Sequence, residues 1–112
     1  MNWIKLTSED ELNQIKTLSE QGKVLIFKHS TRCSISSMAL SRLERAWKDD
    51  EMKGVKPYFL DLIAYRNLSN RIAEEFGVQH ESPQVLMIEK GKCIYHDSHS
   101  GISYQEIKNK AS

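Results

Sequence analysis

The stretch Val24-Leu25-Ile26-Phe27 constrains this chain most. Four consecutive apolar residues, three of them β-branched or aromatic, leave no polar face. The run is too short for a helix and reads as a strand buried on both sides. Such a strand belongs to the middle of a sheet, and that sheet needs an apolar layer against each face.

The rest of the chain supplies both layers. Thr7-Ser8-Glu9-Asp10-Glu11 marks a helix start, with Ser8 and Glu11 at capping-box spacing. Leu12, Ile15 and Leu18 continue it as an apolar stripe, and Gly22 suits its end. After the strand, Ile35, Ala39, Leu43, Ala46 and Trp47 recur at helical spacing to about Lys48, with Trp47 placed in the core. Lys53-Gly54 breaks that pattern, and Tyr58-Phe59-Leu60-Asp61-Leu62 reads as a second strand. Leu68, Ile72 and Phe76 form a third helical stripe, stopped by Gly77. Val85-Leu86-Met87-Ile88 is another buried run. Lys90-Gly91 turns the chain back into Cys93-Ile94-Tyr95-His96. A short helix starts near Ser103 and Glu106.

The expected order is αβαβαββα. The first strand–helix–strand unit implies parallel pairing through a right-handed crossover, and the last two strands are antiparallel. The fold class is therefore α/β: a four-stranded mixed sheet flanked by helices. With 112 residues the chain is expected to form a single domain.

Charge narrows the function. Sixteen Lys and Arg oppose fifteen Asp and Glu, a formal net charge of +1, so neither nucleic acid nor an anionic membrane is expected as a partner. No run reaches the roughly 18 apolar residues of a spanning helix, and the first residues do not read as a signal peptide. The two cysteines, Cys33 and Cys93, do not form a disulfide framework. That favours a reducing compartment, read as cytoplasmic. Metal-ligand spacing is missing: there is no Cys-x-x-Cys or His-x-x-x-His, and His96-x-x-His99 is weak, so no metal is expected. His29, His80, His96 and His99 read as solvated or hydrogen-bonded surface histidines, with His29 set apart by lying four residues before Cys33.

Cys33 is the candidate nucleophile. The polar segment His29-Ser30-Thr31-Arg32-Cys33-Ser34-Ile35-Ser36 joins a strand to a helix, so the sulfur falls at a helix N-terminus. Free backbone N–H groups, the positive end of the helix dipole and the Arg32 charge there all favour the thiolate, which is the nucleophilic form. Ser34 and Ser36 could also donate hydrogen bonds to the sulfur. Cys93 lies in a strand with no helix start beside it and reads as structural.

These pieces together resemble the thioredoxin superfamily and, more narrowly, the YtxJ-like monothiol bacilliredoxins. The resemblance is carried by Phe27-Lys28-His29-Ser30-Thr31-Arg32-Cys33-Ser34-Ile35-Ser36, by Gly77-Val78-Gln79-His80-Glu81-Ser82-Pro83-Gln84 and by Ser98-His99-Ser100, over nearly the whole chain. It implies a thioredoxin fold with a Thr-Cys-Pro-Ile-Ser type site, acting on protein mixed disulfides with bacillithiol, a cysteine–glucosamine–malate thiol. Cys33 matches the nucleophile, Ser36 the position of a second cysteine in dithiol relatives, and Pro83 the superfamily's cis-proline. Ser34 stands where the family usually has proline.

The resemblance also implies partners. These are bacillithiolated client proteins, with bacillithiol as co-substrate and either free bacillithiol or a partner redoxin as reductant; no bound cofactor is expected. Arg32, Ser34, Ser36, Ser82 and Pro83 are the expected substrate-binding residues, with Lys28 beside Arg32 as a contact for malate carboxylates. Two other readings stay open: a redox-sensing or binding module without turnover, and an iron–sulfur carrier like some monothiol glutaredoxins. The bulk of Ser34-Ile35 weighs against the second.

Overall fold

The computed structural model describes residues 1–111. The chain runs β1 (Ile4–Lys5), α1 (Glu9–Leu18), β2 (Lys23–His29), α2 (Ser34–Ala46), β3 (Val55–Asp61), α3 (Arg66–Phe76), β4 (Gln84–Glu89), β5 (Lys92–Ser98), a short turn of 3-10 helix (His99–Gly101) and α4 (Tyr104–Ala111). The sheet therefore has five strands, not four, in the order β1-β3-β2-β4-β5. The extra strand, β1, is only two residues long, too short to leave a period in the sequence. Its place comes from pairing Ile4 with Tyr58 and Lys5 with Phe59, and from Trp3, whose ring packs edge-on against Phe27 and Phe59.

β1, β3 and β2 are parallel, while β4 runs antiparallel to β2 and β5 antiparallel to β4. The parallel strands end at one edge, and α1, α2 and α3 each begin there. In α/β sheets this is the edge where ligand-binding and reactive groups collect.

The central strand is buried on both faces, as its composition requires. Val24 and Ile26 pack with Leu12 and Ile15 of α1, Leu68 and Ile72 of α3, and Leu86 and Ile88 of β4. Leu25 and Phe27 point the other way, to Ala39 and Leu43 of α2, Ile107 of α4, and Val85 and Met87. Strand alternation sends the next residue, Lys28, to the α3 side and His29 to the α2 side.

Local signals act as expected at most boundaries. The Ser8 side chain accepts the Glu11 N–H at 3.2 Å, and the Glu11 carboxylate accepts the Thr7 N–H at 3.1 Å. Gly77 closes α3 with a left-handed φ of 65°, and Lys90-Gly91 turns the β4–β5 hairpin at φ 53° and 74°. Trp47 packs against the core cluster on the α2 side, partly buried. α2 stops at Ala46, and Trp47, its C-terminal cap, is half-buried against Tyr104 with its indole N–H on Asp49.

Candidate functional site

Cys33 is the residue that opens α2. Its backbone is still extended (φ −117°, ψ 118°), while its carbonyl already accepts the Ser37 N–H at 3.1 Å. It therefore holds the N-cap position, and its side chain makes no capping hydrogen bond. An N-cap side chain is the one placed to accept from the N–H of the second or third helical residue. For Cys33 those residues are Ile35 and Ser36. Cys33 is half-buried and carries a free thiol.

The turn that presents Cys33 is tied at several points. The Cys33 N–H donates to the Ser30 carbonyl at 3.2 Å, and the Ser30 N–H donates to the Ser36 hydroxyl at 3.1 Å. Ser36 is fully buried, and its Oγ also lies 2.7 Å from His29 Nδ1. His29 is 6% exposed, beside the rings of Phe27 and Phe59. Burial lowers its pKa below the ordinary imidazole value, against the opposing effects of the Asp61 and Glu44 carboxylates. The spacing of the Ser36 hydroxyl thus ties it to His29 and Ser30, where the sequence suggested it as a donor to sulfur. Arg32 and Ser34 are exposed on the rim beside Cys33.

The second part of the site is the start of β4. Register pairs Gln84 with Lys28, so Pro83 stands beside the last residue of β2, where the chain leaves the sheet for the Cys33 turn. The Ser82–Pro83 peptide bond is cis. Pro83 is buried, and its carbonyl accepts the His99 N–H at 2.9 Å. Among the described residues, Ser82 Oγ, Gln84 Oε1 and Ser98 Oγ are buried at this end without a hydrogen-bond partner. Past them lies a groove of about 240 Å³ between α2 and the 3-10 turn, lined by Ile35, Met38, Ala39, Arg42, His99 and Ser100. Ile35 and Met38 leave 53% and 67% of their surface exposed beside the cysteine.

Lys28 does not join this surface, and its expected role as a contact for substrate carboxylates is corrected. It is fully buried. Its ammonium donates to the Ser69 carbonyl at 3.2 Å and lies 3.4 Å from His80 Nδ1, which also lies 3.2 Å from the Ser69 hydroxyl. Burial pushes the Lys28 pKa down to about 8. It also lowers that of His80, helped by the nearby Lys28 and Arg66 charges. The side chain follows the parity of β2 to the α3 face, away from α2. Sequence reading missed this buried cluster. Its signal was the alternation itself, which sets Lys28 on the same face as Val24 and Ile26.

Cys93 sits in β5, half-buried against the α1–α3 core, and its thiol donates to the Tyr95 carbonyl at 3.3 Å. Burial raises its pKa. It lies within a strand, whereas Cys33 stands at the start of a helix.

A mixed sheet layered by helices, with a cysteine at the start of α2 and a cis-proline at the start of the neighbouring strand β4, defines a thioredoxin-fold thiol oxidoreductase. Solved structures agree on the fold. An oxidoreductase candidate with a thioredoxin fold matches at 28% identity and TM-score 0.82, covering 97% of this chain and 93% of its own. Thioredoxin from Malassezia sympodialis matches at 19% identity and TM-score 0.78, over 98% and 90%. Thioredoxin from Trypanosoma brucei brucei matches at 14% identity and TM-score 0.72, over 97% and 88%. The sequence model of monothiol bacilliredoxin BrxC matches residues 4–107. The chain belongs to the monothiol bacilliredoxin family.

Proposed function

We propose that this protein removes bacillithiol from protein mixed disulfides, with Cys33 as the only reacting residue. The observation that carries this reading is the first turn of α2: Cys33 holds the N-cap position, and three residues on, where a second thiol could resolve a disulfide, stands the buried hydroxyl of Ser36.

The Cys33 thiolate attacks the bacillithiol sulfur of a client–bacillithiol disulfide. That S–S bond breaks as a new one forms between Cys33 and bacillithiol, and the client sulfur leaves as a thiolate that takes a proton from water. A second thiol then attacks the Cys33 disulfide. Free bacillithiol releases bacillithiol disulfide and restores Cys33; a partner redoxin performs the same exchange through its own cysteine. Arg32 and the free N–H groups at the start of α2 suit the malate carboxylates, and the Ser82–Pro83 edge suits the client main chain. The setting is a reducing cytoplasm, with no bound cofactor.

Intact mass spectrometry of a bacillithiolated client mixed with the protein and excess bacillithiol tests this. Catalytic loss of the client adduct is expected, with an adduct on Cys33 and none on the Cys33→Ala variant. Adduct on Cys33 without turnover of the client would leave a redox-sensing module in place of an enzyme.

A further inference from the structure

The hydroxyl of Ser36 belongs to two contacts at once, and their geometry has a consequence for Cys33. Ser36 is the third residue of α2, so its own N–H is the donor placed for the side chain of the N-cap residue, Cys33. Its Oγ accepts the Ser30 N–H at 3.1 Å and lies 2.7 Å from His29 Nδ1. Ser30 in turn accepts the Cys33 N–H. His29 is the last residue of β2, and its carbonyl accepts the Leu62 N–H at 3.0 Å. The sheet thus holds His29, His29 holds Ser36, and Ser36 holds both the turn before the cysteine and the third residue of the helix that Cys33 begins.

We propose that His29 is a positioning residue for Cys33, acting through Ser36. In its neutral form with the proton on Nε2, His29 accepts the Ser36 O–H at Nδ1. When His29 is protonated, its Nδ1–H donates to Ser36 Oγ. Both lone pairs of that oxygen are then filled by Ser30 and His29, and the Ser36 O–H is released to turn elsewhere in the first turn of α2. The state of His29 therefore sets the hydrogen bonding of the helix turn that stabilises the thiolate. The charged groups acting on His29 are Asp61, its register partner in β3, and Glu44 of α2, which is itself held by the Trp3 indole N–H at 2.8 Å. The aromatic rings of Phe27 and Phe59 complete its surroundings.

This role of His29 concerns the same cysteine as the proposed exchange reaction and rests on that cysteine being the reactive one. Its test needs no bacillithiol, so either can fail alone. The probe is iodoacetamide, whose carbon is attacked by the Cys33 thiolate as iodide leaves. Rates are measured from pH 5 to 8.5 in the Cys93→Ala background, with circular dichroism to confirm the fold. The starting protein should show an inflection on the acid side of the ordinary imidazole range, besides the titration of the thiol itself. His29→Phe keeps the ring packing, removes Nδ1, and should abolish that inflection and slow the reaction at pH 7 by up to about tenfold, the loss of one hydrogen bond. Ser36→Ala should do the same. The double variant should be no slower than either single one, because both remove the same link. His29→Asn, whose amide can reach Ser36, should restore the rate without the inflection. If His29→Phe does not fold, His29→Asn and Ser36→Ala decide the question by the same two readouts. Unchanged rates and profile in folded variants, or a double variant whose loss is the product of the single losses, would overturn the proposal.

Discussion

Lys28 offers the sharpest test of the physical reading, because a fully buried ammonium is costly. Its pKa falls from 10.5 to about 8, the result of burial. A basic group whose folded-state pKa is depressed binds its proton more weakly in the folded state than in the unfolded one. The folded protein is therefore penalised wherever Lys28 must be charged, and stability from this group rises with pH between about 8 and the unfolded value. At pH 7 the penalty is about 3 kcal/mol, since each tenfold weakening of proton binding costs about 1.4 kcal/mol. By pH 9 the folded form is largely neutral and the penalty shrinks by about 1 kcal/mol. Lys28→Met replaces the amine with an apolar chain of similar length and removes that slope. It leaves the Ser69 carbonyl without its ammonium donor, while the Ser69 hydroxyl still reaches His80. Replacing a buried charge by a packed apolar group is often neutral or stabilising, so the variant should be at least as stable as the native protein at pH 7. The assay is urea unfolding of both proteins at pH 7, 8 and 9. Taking their difference cancels the titration of Cys93 and the tyrosines, and the native protein should gain about 1 kcal/mol on the variant across that range. A difference that stays constant with pH would refute the assignment of a buried, proton-binding amine at this position.

Other outcomes follow from the same geometry. Cys33→Ala should abolish exchange, while Cys93→Ala should keep most of it; loss of turnover in the second variant would make Cys93 a resolving thiol. In the reduced native protein at pH 7, mass mapping should find Cys93 alkylated more slowly than Cys33, because burial raises the Cys93 thiol. Gly77→Ala should cost about 1 kcal/mol in urea unfolding, since its φ of 65° is strained for a residue with a Cβ although nothing crowds the position. Ser34→Pro should be tolerated and raise stability by about 0.4–1 kcal/mol, because proline suits the first helical residue and restricts the unfolded chain. A lowered melting temperature would show that the turn before α2 does not accept the ring.

Which parts of this protein were readable before folding depends on how local their causes are. The buried strand at Val24–Phe27, the Ser8 cap, the Gly77 stop and the Lys90-Gly91 turn each act within a few residues, so their signals are complete in the linear text. The same holds for Cys33: a polar segment between a strand and a helix places its sulfur at a helix start, whatever packs around it. Resemblance to a family marked Pro83, which composition alone did not. Strand β1 escaped notice because two residues carry no period, and only Tyr58 and Phe59 across the sheet make it a strand. Lys28 looked like a surface cation beside Arg32 because charge suggests exposure. Its fate was decided by strand parity and by α3, which brings Ser69 and His80 to meet its amine. The bond between His29 and Ser36 was equally hidden. They stand seven positions apart, and the reversal of direction between β2 and α2 closes that gap to 2.7 Å. Helix starts, turns and buried runs are thus fixed by neighbours in the chain, whereas the surroundings of a buried polar group are fixed by the elements that tertiary packing lays against it.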